Sequence, residues 1–233
     1  MAEDLHSRLA EDRARALQVT QVSNEIAAKL DALAMLLIDW QQRMNLIAPS
    51  TIPMIWTRHI ADSLQLLDHA PNAKTWIDLG SGAGFPGLVI ACALADKPGA
   101  AVHLVESNRK KSNFLREAAR HLGVPATVHT VRIEDFAKNF AMRPDIVTAR
   151  ALAPLNELLA LAYPFSKTGA QGLFLKGQDV ASELTNAAKY WKFEPILVPS
   201  KTSPSSRIVS VRQWEPRRPS GERPGPNRKR KNP

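Results

Sequence analysis

Cysteine is nearly absent from this chain of 233 residues. The single thiol, Cys92, excludes an internal disulfide framework and any cysteine-based zinc knuckle, and it fits a reducing compartment. Long apolar runs are missing as well. No stretch of about 18 apolar residues occurs, so no membrane span is expected. The first residues, with Glu3 and Asp4 ahead of Arg8, do not lead from a basic segment into an apolar one, so no secretory signal is expected either. A cytoplasmic protein follows as the expectation, with a monomer as its assembly state. No spacing of His, Asp and Glu suggests a metal site. The 44% hydrophobic content, over this length, suffices for a large core without disulfides or structural metal.

Acidic residues fall short of basic ones, 22 against 31, leaving a net charge of +9. That balance suggests a polyanionic partner, but its distribution is uneven. Residues 216–233 hold seven basic side chains against the single Glu222, a net of +6, together with five of the seventeen prolines. This segment offers nothing apolar to bury and is expected to be a disordered basic tail. Residues 1–215 are only mildly basic.

Two grammars divide the rest. In residues 1–70, Leu5, Leu9 and Leu17 are possible helix contacts. From Ser23, the residues Ile26, Leu30, Leu33, Leu37, Trp40 and Met44 recur at steps of three and four, one face of an amphipathic helix ended by Asn45 and Pro49. Pro53 suits the first turn of a second helix that buries Trp56, Ile60, Leu64 and Leu67. Residues 1–70 therefore read as a helical extension. Residues 71–215 alternate strands and helices. Strands are expected at Thr75–Leu79, Ala101–Glu106, Ala126–Val131, Asp145–Ala149, Gly172–Lys176, Phe193–Val198 and Arg207–Val211. Helices are expected at Pro86–Ala95, Asn108–Leu122, Pro154–Phe165 and Val180–Trp191, with Gly123 as a left-handed stop. The fold class is α/β: a Rossmann-like, mostly parallel seven-stranded sheet, helices on both faces, and an antiparallel ending.

Between the first strand and its helix lies Asp78-Leu79-Gly80-Ser81-Gly82-Ala83-Gly84-Phe85-Pro86-Gly87. Glycines there permit sharp turns and close approach to a ligand at the sheet edge where α/β proteins bind. Gly82 to Gly87 also spells G-x-G-x-x-G, a weak dinucleotide signature on its own. Asp78 points elsewhere. A carboxylate at that strand end repels a pyrophosphate but suits a cofactor bearing an ammonium or sulfonium charge. Glu106 ends the second strand, where a carboxylate accepts bonds from ribose hydroxyls. Asp78, Gly80, Gly82 and Glu106 together suggest S-adenosylmethionine. The competing readings are a solvated Glu106 and a turn-forming Asp78.

The residues carry a family resemblance. Gly80 to Gly87 with Phe85-Pro86 inside, Asn45-Leu46, His59-x-x-Asp62-Ser63-Leu64, Glu106-Ser107, Arg109-Lys110-Lys111, Arg132-Ile133-Glu134-Asp135, Arg150-Ala151 and Leu175-Lys176-Gly177 together resemble the ribosomal RNA small subunit methyltransferase G family. The likeness covers roughly residues 20–212. It implies a class I methyltransferase fold and transfer of a methyl group from S-adenosylmethionine to N7 of one guanine in 16S rRNA or the small ribosomal subunit. It also implies that Gly80 and Phe85 line the methionine side of the cofactor site, that Ile133 and Glu134 lie beside the adenine, and that Arg150 belongs to the site.

The chemistry agrees. Guanine N7 has a free lone pair and no proton, so no general base is required and placement suffices. Cytosine-C5 methylation needs a nucleophilic cysteine, but Cys92 reads as a small core residue on an apolar helix. Exocyclic-amine methylation needs an Asn/Asp-Pro-Pro-aromatic element where this chain has Thr148-Ala149-Arg150-Ala151. Arg150 suits a cofactor carboxylate, an RNA phosphate or a structural ion pair. Arg109, Lys110 and Lys111 give a basic helix face toward RNA, and Lys176 is a further RNA candidate or a solvated strand end. His59 and Asp62, one helical turn apart, read as a hydrogen-bonded anchor between helix and sheet. Two other classes compete. An NAD-dependent oxidoreductase would use Tyr163 and Lys167, which Pro164 disfavours. A non-catalytic RNA-binding protein would not need Asp78, Gly80, Gly82, Gly84 and Glu106 intact.

Overall fold

The computed structural model describes residues 2–217. Helix α1 (Ala2–Val19) and helix α2 (Asn24–Gln41) open the chain. Ser23 caps α2 by accepting from Ile26 N, and α2 stops at Gln41, three residues short of the expected Met44. The Gln41 side chain causes the stop: its Oε1 accepts from Leu46 N and Ile47 N, and its Nε2 donates to Ile47 O. The expected second helix is a run of changing pitch: 3₁₀ over Pro49–Met54, π over Trp56–Ala61, α3 (Asp62–Leu64), then 3₁₀ over Gln65–His69. Trp56, Ile60 and Leu64 are buried as expected, but the changing pitch also turns Leu66 fully inward. Asp12 of α1 is fully buried and accepts from Trp56 N, Thr57 N and Thr57 Oγ1, which satisfies the orphan donors where the π turn begins.

The remainder builds the sheet. Its elements are β1 (Thr75–Leu79), α4 (Gly87–Ala93), β2 (Ala101–Val105), α5 (Arg109–Leu122), β3 (Ala126–His129), α6 (Ile133–Asn139), β4 (Ile146–Arg150), α7 (Leu155–Ser166), β5 (Gln171–Lys176) and α8 (Val180–Tyr190). Four short strands follow: β6 (Trp191–Phe193), β7 (Ile196–Pro199), β8 (Arg207–Val211) and β9 (Trp214–Pro216). The seven-stranded order is β3-β2-β1-β4-β5-β8-β7, with β8 antiparallel to β5 and to β7. The expected strand Phe193–Val198 is divided. Only its second half joins the large sheet, while β6 pairs with β9 in a separate ribbon. Two indoles hold that ribbon to α7: Trp191 Nε1 donates to Asn156 O, and Trp214 Nε1 to Leu159 O. Pro216 and Arg217 thus belong to the fold, since Arg217 N donates to Tyr190 O. The rest of the expected tail lies outside the described residues.

One apolar core joins α2 and the helical turns to α4, α5 and the sheet face beneath them; a second fills the other face, under α6, α7 and α8. The helical extension is packed as a cap. Trp40 meets Phe114 edge-on at 5.6 Å, and Lys29 Nζ donates to Leu122 O. Gly123 closes α5 at φ +60°, as its position predicts. Chain order reverses between β1 and β4, so the cleft at their C-terminal ends is the natural ligand crevice of the fold.

Candidate active site

The loop after β1 is shaped by its own backbone. Gly80 N and Ser81 N both donate to Val105 O on β2, and Gly84 N donates to Ser81 O. Gly80, Gly82 and Gly84 adopt φ of +67°, +54° and +87°, which only glycine tolerates freely. A Cβ on Gly82 would meet nothing nearer than Gly80 O at 3.7 Å, so Gly82 faces open space. Gly87 is the opposite case: a Cβ there would lie 2.7 Å from Asp78 Oδ2.

Asp78 stands behind this loop. It is 1% exposed and does not line the cavity. Its Oδ2 accepts from Gly87 N at 3.1 Å, and its Oδ1 has no partner among the described residues. Burial pushes the carboxyl up to about 7. The expected contact with a cationic cofactor therefore gives way to a loop tether, with any charge effect acting through the loop.

Glu106 does reach the cavity. Its Oε2 accepts from Gly82 N at 2.9 Å and its Oε1 from Asn108 N at 2.7 Å. A carboxylate offers about four acceptor positions, so two remain for ligand hydroxyls. The cavity measures about 1250 Å³. It continues past half-buried Ile133 and exposed Glu134, which stand at the start of α6. Glycine backbone, acceptor and half-apolar flank fit the shape and chemistry of a nucleoside bearing an amino-acid tail.

The opposite wall comes from the cap. Arg150, ending β4, donates from Nη2 to His59 Nδ1 at 2.7 Å and from Nη1 to Arg58 O at 3.0 Å. Its guanidinium lies 3.6 Å from Asp62 Oδ2 and 5.1 Å from the Phe85 ring centre. His59 stacks on the same ring at 4.9 Å. Phe85 is 4% exposed and edges the cavity. Arginine has no acceptor, so His59 Nδ1 is unprotonated and Nε2–H donates to Thr51 Oγ1 at 2.9 Å. Asp62 Oδ1 also accepts from Thr202 Oγ1 and Gln65 Nε2, which ties in the loop between β7 and β8. The anchor expected of His59 and Asp62 is present, and Arg150 is the sheet residue it holds. Of the three uses open to Arg150, the ion pair is occupied.

Lys176 lines the cavity and is not a solvated strand end, because its ammonium is already engaged. Its side chain is 9% exposed, pairs with Glu183 Oε2 at 2.6 Å and donates to Ala153 O at 2.9 Å. Glu183 Oε2 in turn accepts from Leu155 N. The pair thereby clamps the segment between β4 and α7, where Ala151 takes φ +52° and Leu152 overhangs Gly80. Arg109 and Lys110 are exposed on the first turn of α5, and Lys111 lines the cavity. Sequence reading missed Glu183, Thr51 and Arg58 as parts of this site. Only Arg58 had a signal, its place immediately before His59.

The chain is similar to known proteins in sequence and in fold. The family model described as rRNA small subunit methyltransferase G matches residues 26–209. A protein of Bradyrhizobium sp. strain ORS 278 named ribosomal RNA small subunit methyltransferase G is 57% identical over 205 residues, 88% of this chain and 92% of its own. One of that name from Rhodopseudomonas palustris strain BisB18 is 54% identical over 216 residues, 93% of this chain and 92% of its own. Among solved structures, cofactor-bound Rv0187 from MTB aligns with TM-score 0.59 at 14% identity, over 84% of this chain and 94% of its own. A putative O-methyltransferase from Klebsiella pneumoniae aligns with TM-score 0.57 at 9% identity, over 85% and 94%. These two show likeness of fold. Sequence, loop and cavity agree: the chain belongs to the rRNA small subunit methyltransferase G family, whose members are S-adenosylmethionine-dependent methyltransferases.

Proposed function

We propose that the protein methylates N7 of one guanine in 16S rRNA, as a free RNA or within the small ribosomal subunit, acting in the cytoplasm as a monomer. The observation that carries this reading is the cradle of Gly80, Gly82 and Glu106 opening into a cavity with no cysteine nucleophile among its described lining residues. S-adenosylmethionine, when bound, supplies an electrophilic methyl group on sulfonium sulfur. Gly80 and Gly82 would let its chain approach the backbone, Glu106 would take the ribose hydroxyls, Ile133 and Glu134 would flank the adenine, and Phe85 would shield the methionine side. Asp78 acts from behind through Gly87 N.

Three titratable groups at the wall are already engaged. His59 lies between Arg150 and Thr51, Asp62 accepts from Gln65 and Thr202, and Glu183 holds Lys176 and Leu155 N. These three are committed to bonds within the fold. N7 has no proton to lose, so the site suits that acceptor. Its work is placement and exclusion of water, and placement alone contributes ~7–11 kcal/mol in well-oriented reactions. The bonds of Arg150 and Lys176 keep the cap and the 151–155 segment in register with the glycine loop. RNA then meets the exposed cations Arg109 and Lys110 with Lys111 at the cavity. Lys176 contributes through its clamp.

The test is methyl transfer from labelled cofactor to small-subunit particles and to 16S rRNA from a strain lacking this protein. Digestion should yield 7-methylguanosine at one position. Any other methylated nucleoside overturns the assignment.

A further inference from the structure

Arg58 sits in the π turn of the cap, exposed and lining the same cavity. Its backbone is fixed, because its carbonyl accepts from Arg150 Nη1. Its guanidinium has no ion pair and no hydrogen bond among the described residues. The nearby Asp62 is shared among Arg150, Gln65 and Thr202. Asp62 is thus committed to Arg150, and the Arg58 charge is left at the cavity without a carboxylate of its own among the described residues. Its effect is felt locally, since the Arg58 charge adds to burial in holding His59 below its ordinary pKa.

An arginine held by its main chain, with its fork unused, is built for a flat or tetrahedral oxyanion. Arg150 lies over the Phe85 ring and reaches the main-chain carbonyl of Arg58, and exposure rises along that series. Phe85 is 4% exposed, the Arg150 side chain 18%, and Arg58 is on the surface. The most exposed position favours an anion arriving from solution over one anchored in the cofactor cradle.

We propose that Arg58 grips a backbone phosphate next to the target guanine and so sets how deeply that nucleotide enters the cavity. This rests on the reading of the protein as an rRNA methyltransferase. The grip stands on the cap side of the mouth, while Lys111 stands on the α5 side, so the RNA strand crosses the cleft between them.

The experiment compares wild type with Arg58→Ala and Arg58→Lys. Small-subunit binding is followed by filter retention between 50 and 200 mM salt (about the range over which phosphate contacts dominate), alongside methyl-transfer kinetics and calorimetry with S-adenosylmethionine. For Arg58→Ala, the slope of log affinity against log salt should become shallower by about one phosphate contact. Its kcat/KM for RNA should fall about tenfold or more, mostly through KM, with cofactor affinity unchanged. Arg58→Lys should keep the slope and recover only part of the affinity. The side chain makes no packing bond, so both variants should melt like wild type. An unchanged slope and KM overturns the proposal. Weakened cofactor binding with an unchanged slope also overturns it, and assigns Arg58 to the carboxylate of the cofactor. The salt slope is read without methyl transfer. A wild-type protein that binds particles but methylates nothing therefore counts against the function, while the slope still decides whether Arg58 holds a phosphate.

Discussion

Arg150 Nη2 donates to His59 Nδ1 across 2.7 Å, and this contact fixes the protonation of the imidazole. Because Nδ1 accepts, His59 is the neutral Nε2–H tautomer, and its Nε2 donates onward to Thr51, whose hydroxyl donates to Ala48 O. Burial, with Arg150 and Arg58 nearby, lowers its pKa to about 3. Burial lowers His103 to about 4. Both folded values lie below the ordinary 6.5, so the stability these residues give is complete above pH 6.5 and lost as pH falls from 6.5 toward 3. Imidazole nitrogen NMR of the folded protein at pH 6 should show His59 Nδ1 bare and Nε2 protonated. A His59 that becomes doubly protonated between pH 7 and 5 would refute the Arg150 contact.

Gly82 and Gly87 should separate binding from folding. A Cβ on Gly87 would press on Leu104 and on the buried Asp78 Oδ2, neither of which has room to yield. Gly87→Ala should destabilise by about 1–3 kcal/mol, as overpacked cores do. A Cβ on Gly82 would enter open space at φ +54°, so Gly82→Ala should cost only about 1 kcal/mol of stability. Its effect belongs to the cavity, where cofactor affinity should fall at least tenfold by calorimetry. Equal affinity in Gly82→Ala and wild type would remove the cofactor from this loop.

Lys176 is expected to matter for stability and little for RNA. It and Glu183 are 9% and 22% exposed, and removing one partner leaves a buried charge. Lys176→Met should lose about 3 kcal/mol in denaturant unfolding, toward the low end for broken buried pairs. The double variant Lys176→Met with Glu183→Gln should recover part of that loss, since glutamine still accepts from Leu155 N. The salt slope of RNA binding should not move in the double variant. A slope shallower by one contact would restore Lys176 to the RNA surface.

These outcomes follow from what the sequence does and does not display. Periodicity located α2 because it buries one face, β1 showed as a short run buried on both faces before the glycine cluster, and Gly123 marked the left-handed stop of α5. The cap helix was legible in its buried Trp56 and Ile60 but not in its pitch, because 3₁₀ and π turns shift the phase between windows. The three-residue strands β6 and β9 are too short for a period and are held by indole bonds to α7. At the site, spacing placed Gly80, Gly82 and Glu106 at one edge. It did not reveal that Arg150 and Lys176 already have partners, since Asp62 and Glu183 come from other elements and only the fold brings them near.

Asp78 supplies the sharpest test of the loop. Its folded pKa near 7 stands above the ordinary 3.8 because burial penalises the carboxylate. The sign is therefore opposite to that of His59: this contribution is complete below pH 3.8 and lost as pH rises from 3.8 to about 7. At 1.36 kcal/mol per pKa unit, the loss is about 4 kcal/mol above pH 7. Asp78→Asn keeps an oxygen for Gly87 N and removes the charge, but places an amide where Oδ1 has no partner. The unpaired amide costs about 1–3 kcal/mol, which leaves a net gain of about 1–3 kcal/mol at pH 8. At pH 4 the carboxyl is mostly neutral, so the gain should vanish or reverse. Urea unfolding at the two pH values measures the difference, and an equal effect at both would show that Asp78 does not titrate between them. The same variant decides how Asp78 serves the site. A tether behind the loop predicts cofactor affinity within about threefold of wild type, because the Gly87 bond survives. A charge acting on the sulfonium through the loop predicts a loss that grows from pH 6 to pH 8, as the wild-type carboxyl ionises.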